Sequence, residues 1–240
     1  MAQVKVGFFD SGIGGLTVLE AFKRICPDAQ TEYYADTEYC PYGNKSAEEV
    51  RSRSEAIARR FVENGCSIVV SACNSATAAA IDFLREKFPE VRFVGMEPAV
   101  KMAAKSSKTG IVAVLATRLT LNGGKYNATK SRLPPGIKVI SAVADEFVVE
   151  VENLRGRSLS SLPKPEYERL ERIVSSRILP LLAAGADKIV LGCTHFPHLK
   201  QIMSEVCANR AEVVDCSEQV ALRIKELYDS LVSGVENAEM

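Results

Sequence analysis

Two stretches of the chain decide how it folds: Ile68-Val69-Val70-Ser71-Ala72-Cys73-Asn74-Ser75 and Ile189-Val190-Leu191-Gly192-Cys193-Thr194-His195. Each is a short apolar run that ends in a small residue, then a cysteine, then hydrogen-bonding side chains. A run of this length reads as a strand buried on both faces, the habit of parallel sheets. Open parallel α/β sheets bind ligands beyond the carboxyl ends of their strands, so both thiols fall where such a fold does chemistry. Two thiols facing one another across a substrate can take a proton from one side and return one from the other.

Outward from these stretches, strand and helix signals alternate. Strand-like runs recur at Val4–Phe9, Thr31–Ala35, Ser67–Ala72, Val91–Gly95, Gly110–Leu115, Ile137–Ala142, Lys188–Gly192 and Glu212–Val214. The clearest helix spans Ser46 to Asn64. Ser46 and Glu49 form a capping box, Val50, Ile57, Ala58, Phe61 and Val62 share a face, and Gly65 supplies the stop. Pro180 is expected to kink or interrupt the helical pattern from Glu166 to Ala184, and Gly156–Pro165 reads as a surface loop. The alternation predicts an α/β fold, each sheet mostly parallel and flanked by helices.

The order of features also repeats. Val6–Phe9 leads into Asp10-Ser11 and a glycine-rich turn, then the Cys73 strand; Ile111–Leu115 leads to Thr117 and Gly123-Gly124, then the Cys193 strand. Two similar lobes are expected, with the active site in the cleft between them. Residues 1–97 form the first, completed by 210–240, and 98–209 form the second. Pro98 suits a helix N1 position just past the boundary.

Thirty Lys and Arg residues balance thirty Asp and Glu residues, so no global field favours nucleic acid or an anionic membrane. No apolar stretch approaches the roughly 20 residues of a spanning helix. The opening Met1-Ala2-Gln3-Val4 runs straight into a strand without a signal-peptide pattern. Seven irregularly spaced cysteines without a CxxC fit reduced thiols better than a disulfide scaffold. A cytoplasmic location is expected.

Free cysteine usually packs as a small buried hydrophobe, and Cys26, Cys40, Cys66, Cys207 and Cys216 are read that way. Cys73 and Cys193 differ, because each ends a strand and precedes an expected helix N-terminus, whose amides and dipole favour a thiolate. Asn74-Ser75 and Thr194-His195 follow them directly and could equally cap those helices. In Asp10-Ser11-Gly12-Ile13-Gly14-Gly15-Leu16-Thr17 the glycines allow a tight turn with bare backbone amides, but neither a Walker loop nor GxGxxG is present. Asp10 can orient an ammonium group or tune a thiol. Pro41-Tyr42-Gly43 reads as a lip whose tyrosine hydroxyl and backbone reach a ligand.

Together, Asp-Ser-Gly-Ile-Gly-Gly-Leu at 10–16, Pro-Tyr-Gly-Asn-Lys-Ser at 41–46, Ala-Cys-Asn-Ser-Ala at 72–76 and Gly-Cys-Thr-His-Phe-Pro at 192–197 resemble the glutamate racemases. These are the cofactor-independent branch of the aspartate/glutamate racemase family. The resemblance implies that Cys73 and Cys193 are the acid/base pair, supported by Asp10 and His195. It implies substrate contacts from Asp10, Ser11, Tyr42, Gly43, Asn74, Ser75, Thr117, Thr194 and His195, with Thr120 paired to Thr117 and Glu152 as a supporting carboxylate. Ser75 stands where the family usually has threonine, and Ala116 where it usually has glycine.

The implied reaction interconverts L- and D-glutamate with neither cofactor nor metal, Cys73 acting on the D-isomer and Cys193 on the L-isomer, and supplies D-glutamate for peptidoglycan. The implied partner is the small-molecule substrate alone, with monomer and homodimer both open. Rival readings are a racemase of aspartate or another acidic amino acid and a non-catalytic amino-acid-binding module. Zinc held by Cys73, Cys193, His195 and His198 lacks standard ligand spacing. A Cys193 nucleophile with His195 as its base would leave a covalent acyl adduct.

Overall fold

A computed structural model describes residues 4–234. Met1-Ala2-Gln3 and residues 235–240, which the expected lobe limits include, lie outside the described residues. The chain divides into two units, one running to Met96 and resuming at Ser217, the other spanning Glu97–Cys216.

In the first unit, β1 (Lys5–Asp10), α1 (Leu16–Ile25), β2 (Gln30–Ala35), α2 (Ala47–Glu63), β3 (Ile68–Ser71), α3 (Asn74–Lys87) and β4 (Arg92–Gly95) follow in turn. Its sheet is wholly parallel, in the order β2-β1-β3-β4. β3 is buried at every residue, as its unbroken apolar run requires, whereas the edge strand β2 is partly exposed along its length. Chain order reverses between β1 and β3, so one connection leaves toward β2 and the other toward β4. Such a switch point opens a crevice at the strand tips.

The second unit repeats this plan. Here α4 (Val100–Ser106), β5 (Ile111–Ala116), α5 (Arg118–Asn122), α6 (Gly124–Ser131), β6 (Lys138–Val143) and α7 (Glu146–Leu154) come first. They are followed by α8 (Lys164–Ala183), β7 (Lys188–Gly192), α9 (Lys200–Cys207) and β8 (Glu212–Val214). The parallel order is β6-β5-β7-β8, with the switch point between β5 and β7. Finally α10 (Ser217–Val232) packs on α1 of the first unit, with Phe22 and Tyr228 edge to face at 6.1 Å.

All eight expected strands are present, and four local expectations are corrected. The strand at 212–214 does not return with α10; it pairs with β7, matching Val213 to Ile189 and Val214 to Val190. Lys188 Nζ reaches Glu212 at 2.5 Å across that pair, and the first unit resumes only with the helix. Pro98 is not at N1 of α4, which is capped by Ala99; it lies against Gly192, where a Cβ would come within 3.1 Å of its ring. Helix α8 runs on through Pro180, which sits in its final turn, where one lost hydrogen bond does not end a helix of 20 residues. The long helix α2 begins as expected, with Ser46 accepting from the Glu49 amide at 3.1 Å. The Glu49 carboxylate, however, takes Lys45 at 2.9 Å and does not complete a capping box.

Candidate active site

The first cluster gathers at the β1/β3 switch point. Asp10 ends β1, is fully buried, and accepts from the Gly12 amide at 2.8 Å and from Ser11 Oγ at 3.4 Å. The glycines after it adopt no left-handed conformation, since none is among the positive-φ positions. Gly15 is needed for space: a Cβ there would sit 2.8 Å from Asp10 Cβ and 3.0 Å from Ala72 Cβ. Helix α1 can therefore begin tight against the tips of β1 and β3.

Cys73 is itself the N-cap of α3, with extended backbone, and its carbonyl accepts the Thr77 amide at 2.9 Å. Asn74 and Ser75 are consequently the first helical residues and not caps, because the cap position is taken. Their side chains are buried, and Asn74 Nδ2 has no hydrogen-bond partner among the described residues. A buried, unpaired amide donor beside a thiol is costly unless a ligand accepts from it. Behind the turn, Thr77 Oγ1 lies 3.1 Å from Ser71 Oγ and accepts the Met96 amide at 2.9 Å, tying β3, α3 and β4 together under Cys73.

Tyr42 and Gly43 lie in a short 3-10 turn that packs on α3. The Tyr42 hydroxyl donates to Asp36 at 2.5 Å, and burial followed by that carboxylate holds its ionisation far above the usual phenol range. Its hydroxyl proton is thus already engaged within the loop. Cys40 differs from the other expected core thiols in being only half-buried, with Sγ 3.9 Å from Ser11 Oγ.

In the second unit, Thr117 follows β5 and caps α5, accepting from the Thr120 amide at 3.4 Å and pairing with Thr120 Oγ1 at 3.0 Å. Cys193 follows β7, the strand equivalent to β3 in the repeated order. The helix expected after it is absent. A 3-10 turn, Phe196–Leu199, intervenes before α9, because His195 and Pro197 turn the chain early. The Cys193 thiol is supported instead by a side chain, with Sγ 3.8 Å from His195 Nδ1. His195 Nε2 in turn lies 2.6 Å from Glu152 Oε1 on α7. When the imidazole is neutral and Nε2 donates to the carboxylate, Nδ1 is the acceptor that faces the thiol. Thr194 and His195 are both buried. His198 is half-buried, with Nε2 unpaired among the described residues, and burial, then the neighbouring His195, pull its basicity down.

The remaining cysteines behave as packing groups. Burial raises the thiols of Cys26 and Cys207, pushes Cys66 to about 11 and pushes Cys216 to about 12, keeping them neutral at physiological pH.

The two clusters occupy equivalent stations, one on each sheet, and comparison with known proteins gives them a context. The family model described as Asp/Glu/Hydantoin racemase matches residues 15–221. The chain is 38% identical over 226 residues to the glutamate racemase of Ectopseudomonas mendocina (strain ymp), an alignment covering 94% of this chain and 82% of that protein. Among solved structures, the Bacillus anthracis glutamate racemase isoform RacE1 superposes with a TM-score of 0.82 at 26% identity, covering 98% of this chain and 84% of that one. The Escherichia coli glutamate racemase, solved with L-glutamate and the activator UDP-MurNAc-ala, gives 0.81 at 32% identity, covering 95% and 83%. By sequence and by fold, then, the chain belongs to the Asp/Glu/Hydantoin racemase family.

Proposed function

We propose that this chain is a glutamate racemase, inverting the α-carbon of glutamate by a two-base mechanism carried by Cys73 and Cys193. The observation that supports it most is the matched placement of the two thiols. Each follows the third strand of its unit, at the switch point of a parallel sheet with identical strand order. In the forward direction, one thiolate removes the α-proton and the other thiol protonates the opposite face of the planar carbanion. The reverse reaction exchanges their roles, Cys73 acting on D-glutamate and Cys193 on L-glutamate. The pair works with one thiol and one thiolate, so it titrates as a unit with macroscopic values.

The α-hydrogen of an amino acid is a weak acid, and preorganised donors aimed at the developing charge must offset that. From the first unit, Asp10 is placed to orient the substrate ammonium group. Ser11, the Tyr42–Gly43 backbone, Asn74 and Ser75 offer donors to its carboxylates, and the unpaired Asn74 amide suits such an acceptor. From the second, Thr117 and Thr194 contribute hydroxyls, while His195, oriented by Glu152, exchanges a proton with Cys193. The role needs no cofactor in this scheme. Among the described residues no helix is long and apolar enough to cross a membrane, and none of the seven cysteines is in a disulfide. The setting proposed is cytoplasmic, supplying D-glutamate for peptidoglycan.

A second reading rests on the Cys193–His195–Glu152 line, which also suits a nucleophilic thiol with its base and orienting acid. One experiment separates them. Each enantiomer of glutamate and of aspartate is incubated with the protein in D2O, and α-deuteration and enantiomer ratio are followed. The two-base reading expects deuterium at the α-carbon with inversion, preferentially for glutamate, and loss of inversion in folded Cys73→Ala and Cys193→Ala. A binding module gives no exchange, a covalent mechanism gives an adduct at Cys193, and inversion by either single variant at the wild-type rate removes the paired-thiol mechanism.

A further inference from the structure

Asp36 follows β2 directly, and its amide donates to the carbonyl of Asp10 at 2.9 Å, so the loop beyond it starts at the tip of β1. Its carboxylate is 2% exposed. A buried carboxylate is expensive unless every lone pair is met, and here three donors meet it. Arg53, reaching from α2, forks onto it through Nε at 3.0 Å and a terminal nitrogen at 2.6 Å, and the Tyr42 hydroxyl supplies the third bond. The face of the same guanidinium lies 3.7 Å from the ring centre of Tyr39. Arg53 therefore holds two points of one loop directly, its start at Asp36 and its middle at Tyr39, and Asp36 in turn holds the tip at Tyr42.

Beyond this grip, the loop is buried only at its tip. Its first 3-10 turn, Thr37–Tyr39, buries no residue, and its second buries only Tyr42 and Gly43. Lysine could neutralise Asp36 but could not supply the fork and the stacking plane together. If stability were the only need, an apolar substitute for a buried ion pair would serve as well. The arrangement instead fixes geometry, and what it fixes is the turn packed on α3, whose tyrosine hydroxyl lies within electrostatic range of both Cys73 and Arg53.

We infer that Arg53 is a positioning residue for racemisation: by gripping Asp36 and Tyr39 it holds the Tyr42–Gly43 backbone where the substrate meets Cys73. This rests on the racemase reading above. Arg53 touches no reacting atom, and its effect is carried through the loop.

The test measures kcat and KM for both glutamate enantiomers in Arg53→Met, Arg53→Lys, Tyr42→Phe and the Arg53→Met/Tyr42→Phe double variant, with thermal melting alongside. Wild-type turnover is established first; its absence overturns the racemase reading and this inference with it. Given turnover, Arg53→Met is expected to raise KM about tenfold, with kcat per folded molecule held within about threefold, the signature of lost ground-state positioning. Arg53→Lys keeps the charge for Asp36 and is expected to fall between the two, and it carries the test alone if Arg53→Met does not fold. The double variant is expected to be no worse than Arg53→Met, because both changes break one device. A role in stability alone lowers the melting temperature and leaves KM unchanged. Wild-type KM in folded Arg53→Met or Arg53→Lys therefore overturns the positioning role while leaving the racemase reading intact.

Discussion

Substituting alanine for Gly15 tests how closely the fold and the site are coupled. The new methyl would stand 2.8 Å from Asp10 Cβ, 2.9 Å from Tyr33 Oη and 3.0 Å from Ala72 Cβ. Carbon atoms rest at about 3.5–4.0 Å, so the shortfall is roughly 0.5–1.2 Å. Tyr33 can swing aside, but its hydroxyl donates to Gly12 O at 2.8 Å, and losing that bond costs about 1 kcal/mol. The other two carbons cannot swing. Asp10 is held in β1, and Ala72 is held by its amide on Phe9 O at 2.8 Å. The first turn of α1 must therefore lift. Gly15 has a φ of −66°, so the backbone adds no strain, and alanine returns about 0.4–1 kcal/mol by restricting the unfolded chain. Overpacking costs about 1–3 kcal/mol. The balance is a loss of about 1–3.6 kcal/mol, or roughly 2–14 °C in melting temperature. The lift also disturbs Asp10 and the residue before Cys73, and a displacement of this size can cost up to ~100-fold in kcat/KM. Melting followed by circular dichroism and a racemisation assay read the two effects. A Gly15→Ala protein that melts within about 1 °C of wild type and keeps kcat/KM within about twofold refutes the close-approach argument.

Three further outcomes follow from other polar groups. Thr77→Val removes the acceptor of the Met96 amide and the partner of Ser71 Oγ, and is expected to cost about 2–3 kcal/mol in urea unfolding, with Thr77→Ser recovering most of it. Asp187 bonds Ser107 Oγ at 2.6 Å and the amides of Lys108 and Thr109 at 2.5 and 3.2 Å; burial pushes its carboxyl up, but these bonds together hold it below the ordinary range. A lowered folded value means the stabilisation is complete above the unfolded value near ~3.9 and is lost as pH falls through the folded one. The stability gap between wild type and Asp187→Asn, about 1–2 kcal/mol at neutral pH, should shrink below about pH 4 in a pH series of urea melts. Iodoacetamide at pH 8 should leave Cys66 and Cys216 unlabelled in the native protein, since thiols at about 11 and about 12 are almost wholly neutral there. Peptide mapping that finds either alkylated before unfolding contradicts their burial.

Much of the fold was legible because parallel sheets write themselves as uninterrupted apolar runs, and β3 and β7 are buried at every residue. Helix α2 was legible from its periodicity and its Ser46 cap, although Ser54, and not Val62, fills the last place on the buried face. What escaped had weaker local signals. β8 is three residues long, and only its pairing with β7 decides which sheet receives it. The turn after Cys193 looks helical in isolation, yet Pro197 and His195 divert it. The Asp36–Arg53–Tyr42 cluster joins residues up to 17 positions apart, and no periodicity links a strand end to the middle of a helix. Its only sequence trace is an arginine on α2 placed between residues that face solvent and residues that face the core.

The duplicated topology does not make the two thiols alike, and the difference bears on how one enzyme could run in both directions. Cys73 begins a helix of 14 residues, whose free amides and dipole stabilise negative charge at its first turn without titrating. Cys193 precedes a 3-10 turn of four residues, too short for that effect, and has the His195–Glu152 pair in its place. A helix terminus offers a fixed field, whereas an imidazole oriented by a carboxylate offers a proton that can move. On the two-base reading, deprotonation by Cys73 thus relies on standing electrostatics and deprotonation by Cys193 on proton transfer to Nδ1. Glu152→Gln probes the second support, since it weakens the hold on the Nε2 proton of His195. The primary deuterium isotope effect should then rise for the L-to-D direction, where Cys193 is the base, and stay near its wild-type value for D-to-L. Equal changes in both directions would mean that the supports are shared and that the asymmetry of the two turns has no kinetic consequence.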